Sequence, residues 1–270
     1  QVYRFTTLIF GAISSSFLLS ATLLKHSKQY EVLDEEFMKI VSNKFYVDDL
    51  NCGVDNVENG YDLYKKLKIR LHEASFTLRK WRTNNASLRN LIYASEGHQI
   101  HDSEENYDKV LGIEWNEDED KFIFRINDMF KDVIDGIPSK RTILSIISSI
   151  YDPVGFLQPL TVNLKLLFQE FCRTGIGWDQ EINDVIYKKW LQIVENFSSY
   201  STIYVSRYCL IYDVEDPIEF IYLHGFSDAS SLAYGACVFL KSITKSGNIK
   251  VSLVTSKSRL VQGCHYLKKA

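Results

Sequence analysis

Lys44-Phe45-Tyr46-Val47-Asp48-Asp49-Leu50-Asn51-Cys52-Gly53-Val54 is the stretch on which the fold turns. Hydrophobic residues flank two adjacent aspartates, the pattern of a short β-hairpin with Asp48-Asp49 near its turn. Adjacent carboxylates repel each other unless cations neutralise them. The pair is therefore either a solvated turn or part of a cation site. Two Mg²⁺ ions ~3.5–4 Å apart, as phosphoryl transfer to a 3′-hydroxyl requires, would neutralise such a pair. Taken as a bare tetrapeptide the solvated turn wins, and the surroundings decide the matter.

Upstream, residues 12–30 read as a helix entered after Gly11 through a Ser-rich turn. The apolar run from Leu8 to Leu24 is broken by Ser14, Ser15, Ser16, Ser20 and Thr22 and falls short of a membrane span of ~20 apolar residues, so a buried helix is expected. Downstream, Leu63, Leu67 and Leu71 recur at helical spacing within about Val57 to Glu73, with lysines on the other face. Phe76 to Trp81 reads as a strand with alternating burial. Val110–Trp115 and Lys121–Ile126 read as two more strands, joined by the acidic turn Asn116–Asp120. This first part is α+β.

From Pro138 the pattern becomes helical. Ser139 is placed to cap a helix carrying Ile143, Ile146, Ile147 and Ile150, stopped by Asp152-Pro153. Thr161 is expected to cap the next, ended by Gly175. A third runs from about Gln180 to Phe197, with Val185, Ile186, Trp190, Ile193 and Val194 on one side. A strand-like stretch at 202–212 precedes three strands, Glu219–Asp228, Ala233–Lys241 and Lys250–Lys257, the last hairpin turning at Gly247-Asn248. The expected divisions are 1–137, 138–217 and 218–270.

Composition sets the class. The chain has 270 residues, 31 basic and 34 acidic, a net charge of −3, with 46% hydrophobic residues: ordinary globular composition. The five cysteines form no CxxC pair and read as reduced thiols, and the six histidines lack zinc-cluster spacing. Charge is unevenly spread. Tyr61–Ile100 holds eight Lys/Arg against three acids, with Tyr64, Trp81 and Tyr93 interleaved, a composition suited equally to a nucleic-acid groove or a solvated helix face. His101–Asp135 holds twelve acids against four bases and reads as a solvated hairpin edge.

Several ordered blocks together resemble the polymerase region of BEL/Pao-type LTR retrotransposon Pol polyproteins, a reverse transcriptase followed by a ribonuclease-H-like domain. They are Tyr3-Arg4-Phe5 through Phe10-Gly11 to Leu19, Phe45–Leu50, Phe76–Trp81, Leu111-Gly112-Ile113-Glu114-Trp115 and Tyr151–Pro159. Leu223–Ser230, Ala233-Tyr234-Gly235-Ala236 and Lys257-Ser258-Arg259 complete the set. The resemblance implies an α+β chain: a partial reverse-transcriptase palm, a helical thumb and connection, then a partial ribonuclease-H-like sheet.

It further implies that Asp48, Asp49 and Asp228 are Mg²⁺-proximal carboxylates, with Mn²⁺ as a possible substitute. Lys80 would stabilise or protonate the leaving pyrophosphate; a surface lysine is an equal reading. Phe10, Gly11, Tyr46, Arg79, Trp81, Leu111 and Gly112 would contact substrate or nucleic acid, although turn, hairpin and core-strand roles suit several of them. Asp228 can equally cap the turn that follows it. The implied partners are an RNA or DNA template with primer and deoxynucleotides, in an intracellular setting (a cytoplasmic virus-like particle or the nucleus), without a membrane.

The resemblance is incomplete. The polymerase site calls for a further aspartate upstream of the Phe-Gly loop, and no acid follows Lys257 to complete the second site. A fragment inactive by itself is expected, or alternatively a non-catalytic remnant that binds nucleic acid or protein. An aspartic-peptidase activity is excluded, because no Asp-Thr-Gly or Asp-Ser-Gly triplet is present.

Overall fold

The computed structural model describes residues 7–9, 11–97, 109–126, 128, 138–180, 182–198, 201–211 and 213–261. Helices and antiparallel sheets make it α+β. The chain divides into two compact units, Gln1–Asn106 and Tyr107–Ala270.

The first unit contains α1 (Ser15–Ser27), a short 3₁₀ turn (Lys28–Tyr30), α2 (Glu35–Lys44), the hairpin β1 (Phe45–Tyr46) and β2 (Asp49–Leu50), α3 (Val57–His72) and α4 (Ala86–Glu96). Side-chain oxygens start three of these helices. Asp34 accepts from Phe37 N, Asn56 from Asn59 N and Asn85 from Leu88 N, each satisfying an N–H that the first helical turn leaves unpaired. The core gathers Leu23, Tyr30, Phe37, Val41, Leu67 and Leu71. Burying Leu67 and Leu71 contributes about 1.5–3 kcal/mol each.

Three expectations fail in this unit. Helix α1 is mostly exposed, burying only Leu23 and Ser27 while Phe17 is 73% accessible. Its serines interrupt any continuous apolar stripe, so only the C-terminal turns reach the core. Residues 76–81 form no strand, because no neighbour among the described residues pairs with them. Phe76 and Leu78 still alternate inward against the core, and the alternation ends where Lys80 adopts a left-handed φ of 55°. Helices α2 and α4 had not been anticipated. Both carry a capping Asp or Asn and apolar residues three and four apart, the signature of a short amphipathic helix.

The second unit is built on a four-stranded antiparallel sheet: β3 (Lys109–Val110), β4 (Ile113–Asn116), β5 (Lys121–Arg125) and β6 (Thr202–Ser206). Against it pack α5 (Lys140–Ser149), α6 (Gln158–Thr174) and α7 (Asp184–Ser198), around Phe124, Ile143, Ile146, Leu164, Phe171 and Trp190. Because Phe122 and Phe124 pair with Val205 and Ile203, the 109–125 hairpin belongs with the helices. The boundary between the two compact units falls between residues 106 and 107. Thr161 is a buried residue inside α6 and not its cap, the helix beginning at Gln158 with Pro159 in its first turn. Helix α7 starts at Asp184, and its Val185 points to solvent at 64% accessibility.

The acidic hairpin is less solvated than expected. Asp120 receives the Arg207 guanidinium and the Trp115 indole N–H, and Glu114 receives Arg125.

Three long strands complete the unit as an antiparallel sheet: β7 (Ile218–Ala229), β8 (Ala233–Thr244) and β9 (Ile249–Leu260). The segment 152–158 holds the outer edge of β9. The Asp152 carboxylate first shapes it by accepting the N–H groups of Gly155, Phe156 and Leu157 at 2.8–2.9 Å. Val154 O then accepts from Ser256 N, and Gln158 Oε1 accepts from Ser258 N and Oγ. Gly155 has φ +96° and lies so close that a Cβ there would be 2.0 Å from Ser256 O. Only glycine satisfies both conditions.

Candidate nucleic-acid interface

The Asp48–Asp49 hairpin folds as anticipated, with Phe45 opposite Leu50 and Tyr46 opposite Asp49. Val47 and Asp48 make the turn. Val47 carries a φ of 56°, a conformation in which a β-branched residue is strained by about 1–3 kcal/mol. Asp48, Asp49 and Tyr46 are all exposed. Gly11 is exposed with φ +81°; Phe10 lies outside the described residues, as does the Tyr3-Arg4-Phe5 block.

The basic run downstream is largely neutralised on α3. Lys65 pairs with Asp62 at 2.7 Å, Lys66 with Glu36 at 2.7 Å and Asp34 at 3.5 Å, Lys68 with Glu96 at 2.8 Å, and Arg70 with Glu73 at 3.7 Å. Hydrogen bonds donated to these carboxylates raise all three lysines above their ordinary range, fixing them as charged donors to protein oxygens. Trp81, expected to offer a stacking face, is half-buried instead. It packs edge-on against Tyr64 at 4.8 Å, and its Nε1 is buried without a hydrogen-bond partner. Arg79 and Lys80 are exposed and form no ion pair among the described residues.

In the second unit, Leu111 and Gly112 turn the β3–β4 hairpin with φ of +50° and +85°. The Tyr151 ring lies against Gly112 so closely that a Cβ there would meet it at 2.8 Å.

Asp228 lies near the end of β7 and is exposed, its Oδ1 accepting from Ala229 N. The register defines its neighbours. Asp228, Gly235 and Ser258 form one row across the sheet, on one face. The flanking rows, Ser227–Ala236–Lys257 and Ala229–Tyr234–Arg259, project from the other face. Small side chains in these rows leave a shallow depression with Tyr234, Lys257 and Arg259 along it. Both cations are exposed, and neither forms an ion pair among the described residues. Lys257 and Arg259 had been noted only as part of a sequence block. The two-residue strand period that puts them on one face was available in the sequence.

Among the described residues neither carboxylate site gathers enough ligands for a pair of divalent cations. Asp48 and Asp49 supply two carboxylates and Asp228 one, and no group of three or more His, Cys, Asp or Glu suited to a metal occurs among the described residues. Among the same residues no helix is long and apolar enough to cross a membrane.

A small α+β module, helices followed by a three-stranded antiparallel sheet with an aspartate near the end of its first strand, is the class this region defines. Residues 139–264, a little under half of the chain, match the sequence model of a family described as the Pao retrotransposon-like RNaseH-like domain. The match supports a Pao retrotransposon Pol ribonuclease-H-like region in the C-terminal part. No curated protein matches the chain.

Proposed function

We propose that the chain is a segment of a retrotransposon RNA-directed DNA polymerase polyprotein, and that alone it binds nucleic acid without catalysing synthesis. The observation carrying this reading is that the Pao-type ribonuclease-H-like match includes a strand-end aspartate, Asp228, with an open cation in each of the two flanking rows of the sheet. In the parent enzyme the hairpin carboxylates Asp48 and Asp49 would serve nucleotidyl transfer with Mg²⁺ or Mn²⁺, Asp228 would serve hydrolysis of the RNA strand, and Lys80 would face the pyrophosphate. The carboxylates described here are too few to hold two divalent ions, which favours binding over turnover for this chain.

The test uses the purified chain with a primed RNA template, deoxynucleotides and either Mg²⁺ or Mn²⁺, alongside anisotropy titration with a labelled RNA–DNA hybrid. Salt-dependent binding with neither primer extension nor RNA cleavage is the expected result. Template-directed extension would overturn the inactivity, and absence of binding at low salt would overturn the nucleic-acid reading.

A further inference from the structure

The geometry points to the face of the β7–β8–β9 sheet opposite Asp228 as the surface that grips a nucleic-acid strand, with Lys257 and Arg259 on its phosphates and Tyr234 beneath a base. This deepens the reading above and rests on it. Lys257 and Arg259 stand two residues apart on one strand, hence on one face and ~6–7 Å apart along it. That is the scale of one nucleotide step along an extended strand. Tyr234 is directly opposite Arg259, 48% accessible, and its neighbours Ala229 and Ala236 are too small to screen its ring.

Another cation on the same face shows what an occupied charge looks like. Lys250, opposite Ser242, donates to the carbonyls of Tyr208 and Leu210 at 2.8 and 3.1 Å, while Ser242 and Thr244 beside it are fully buried. That end of the face is closed by the chain's own backbone, and the Tyr234 end is open among the described residues. Asp228 also lines the depression, but strand alternation aims it at the other face, and it forms no ion pair with Lys257 or Arg259 among the described residues. The strip is also stiff, because 152–158 fastens the edge of β9 through Ser256 and Ser258. A fastened strand holds the bases of the two cations at a fixed spacing, which lowers the ordering cost of docking a phosphate backbone. Nucleic acid is preferred over an acidic peptide because an aromatic face beside two cations one strand period apart matches a base next to successive phosphates.

The experiment compares the wild-type chain with Lys257→Gln/Arg259→Gln and with Tyr234→Ala, titrating a labelled single-stranded oligonucleotide and an RNA–DNA hybrid at several salt concentrations. Melting curves confirm that these exposed substitutions leave the fold intact. The double variant should bind at least about tenfold more weakly at 50 mM salt, with the slope of log K against log salt reduced by about two. Tyr234→Ala should weaken the single strand by about tenfold and the duplex much less. Wild-type binding that the double variant retains with unchanged affinity and slope would overturn the strip while sparing the broader reading. No wild-type binding would overturn both. Displacement of the oligonucleotide by polyglutamate of equal charge would overturn the assignment to nucleic acid.

Discussion

Helix α3 and strand β9 each present basic side chains at regular spacing, and they do opposite things with them. On α3, four cations within six residues are matched by carboxylates from α2, α4 and α3's own turns. On β9, two cations stand on an open face without an acidic partner among the described residues. The denser segment is electrostatically the quieter one. A count of charges along the chain measures what could attract a polyanion, whereas the field outside the protein depends on which charges remain unmatched.

The largest effect that sharpens this contrast comes from the helical core of the unit that carries β9. Trp190 is 1% accessible in the core formed with α5 and α6, so Trp190→Ala should cost about 3–5 kcal/mol in denaturant unfolding of the second unit. Next is the clasp that keeps β9 stiff. Gly155→Ala forces a Cβ into Ser256 O at a positive φ, and should destabilise the second unit by about 3 kcal/mol. Wild-type stability in that variant would mean that 152–158 does not hold the strand.

A smaller effect is expected where α2 and α3 share a carboxylate. Asp34 caps α2 through Phe37 N and lies 3.5 Å from Lys66, so Asp34→Ala should cost about 1 kcal/mol. Lys65→Gln with Lys68→Gln tests the quiet helix directly. Exposed ion pairs contribute roughly 0–1 kcal/mol. The double variant should therefore melt nearly as wild type and change oligonucleotide affinity less than about twofold. A tenfold loss would break the contrast between α3 and β9.

The smallest effect is a pH response at the far end of the sheet. Asp216 accepts the Ser246 hydroxyl and backbone N–H and the Asn248 amide, and the Ser246 hydroxyl foremost holds its pKa at about 2 against an ordinary 3.8. A folded-state value below the unfolded one stabilises the turn above pH 3.8 and loses that contribution as pH falls toward 2. Amide exchange in residues 245–248 should accelerate across that window, and Asp216→Asn should remove the response.

Much of this was legible along the chain. The aspartate hairpin, helix α3, the three long strands and the Ser139 cap follow from local rules: alternation in strands, four-residue recurrence in helices, a capping hydroxyl before an apolar stripe. The block Tyr151–Pro159 was noticed as a motif without a reason. Its reason is three-dimensional, since Asp152, Gly155 and Gln158 clasp a strand about a hundred residues away. Trp81 misled for a related cause. An aromatic between Lys80 and Arg82 suggests stacking on a base, yet its indole is packed against Tyr64 and its nitrogen is buried.

By itself the sequence determined the α+β class, the positions of Asp48, Asp49 and Asp228, and the strand spacing that carries Lys257 and Arg259, because these depend on neighbours within a few residues. Tertiary structure alone decided which cations are matched and which are open. It also placed the 109–125 hairpin with the helices and set Asp228 and the Lys257–Arg259 strip on opposite faces. Ion pairing and sheet register join residues tens of positions apart, and no local pattern records such a partner.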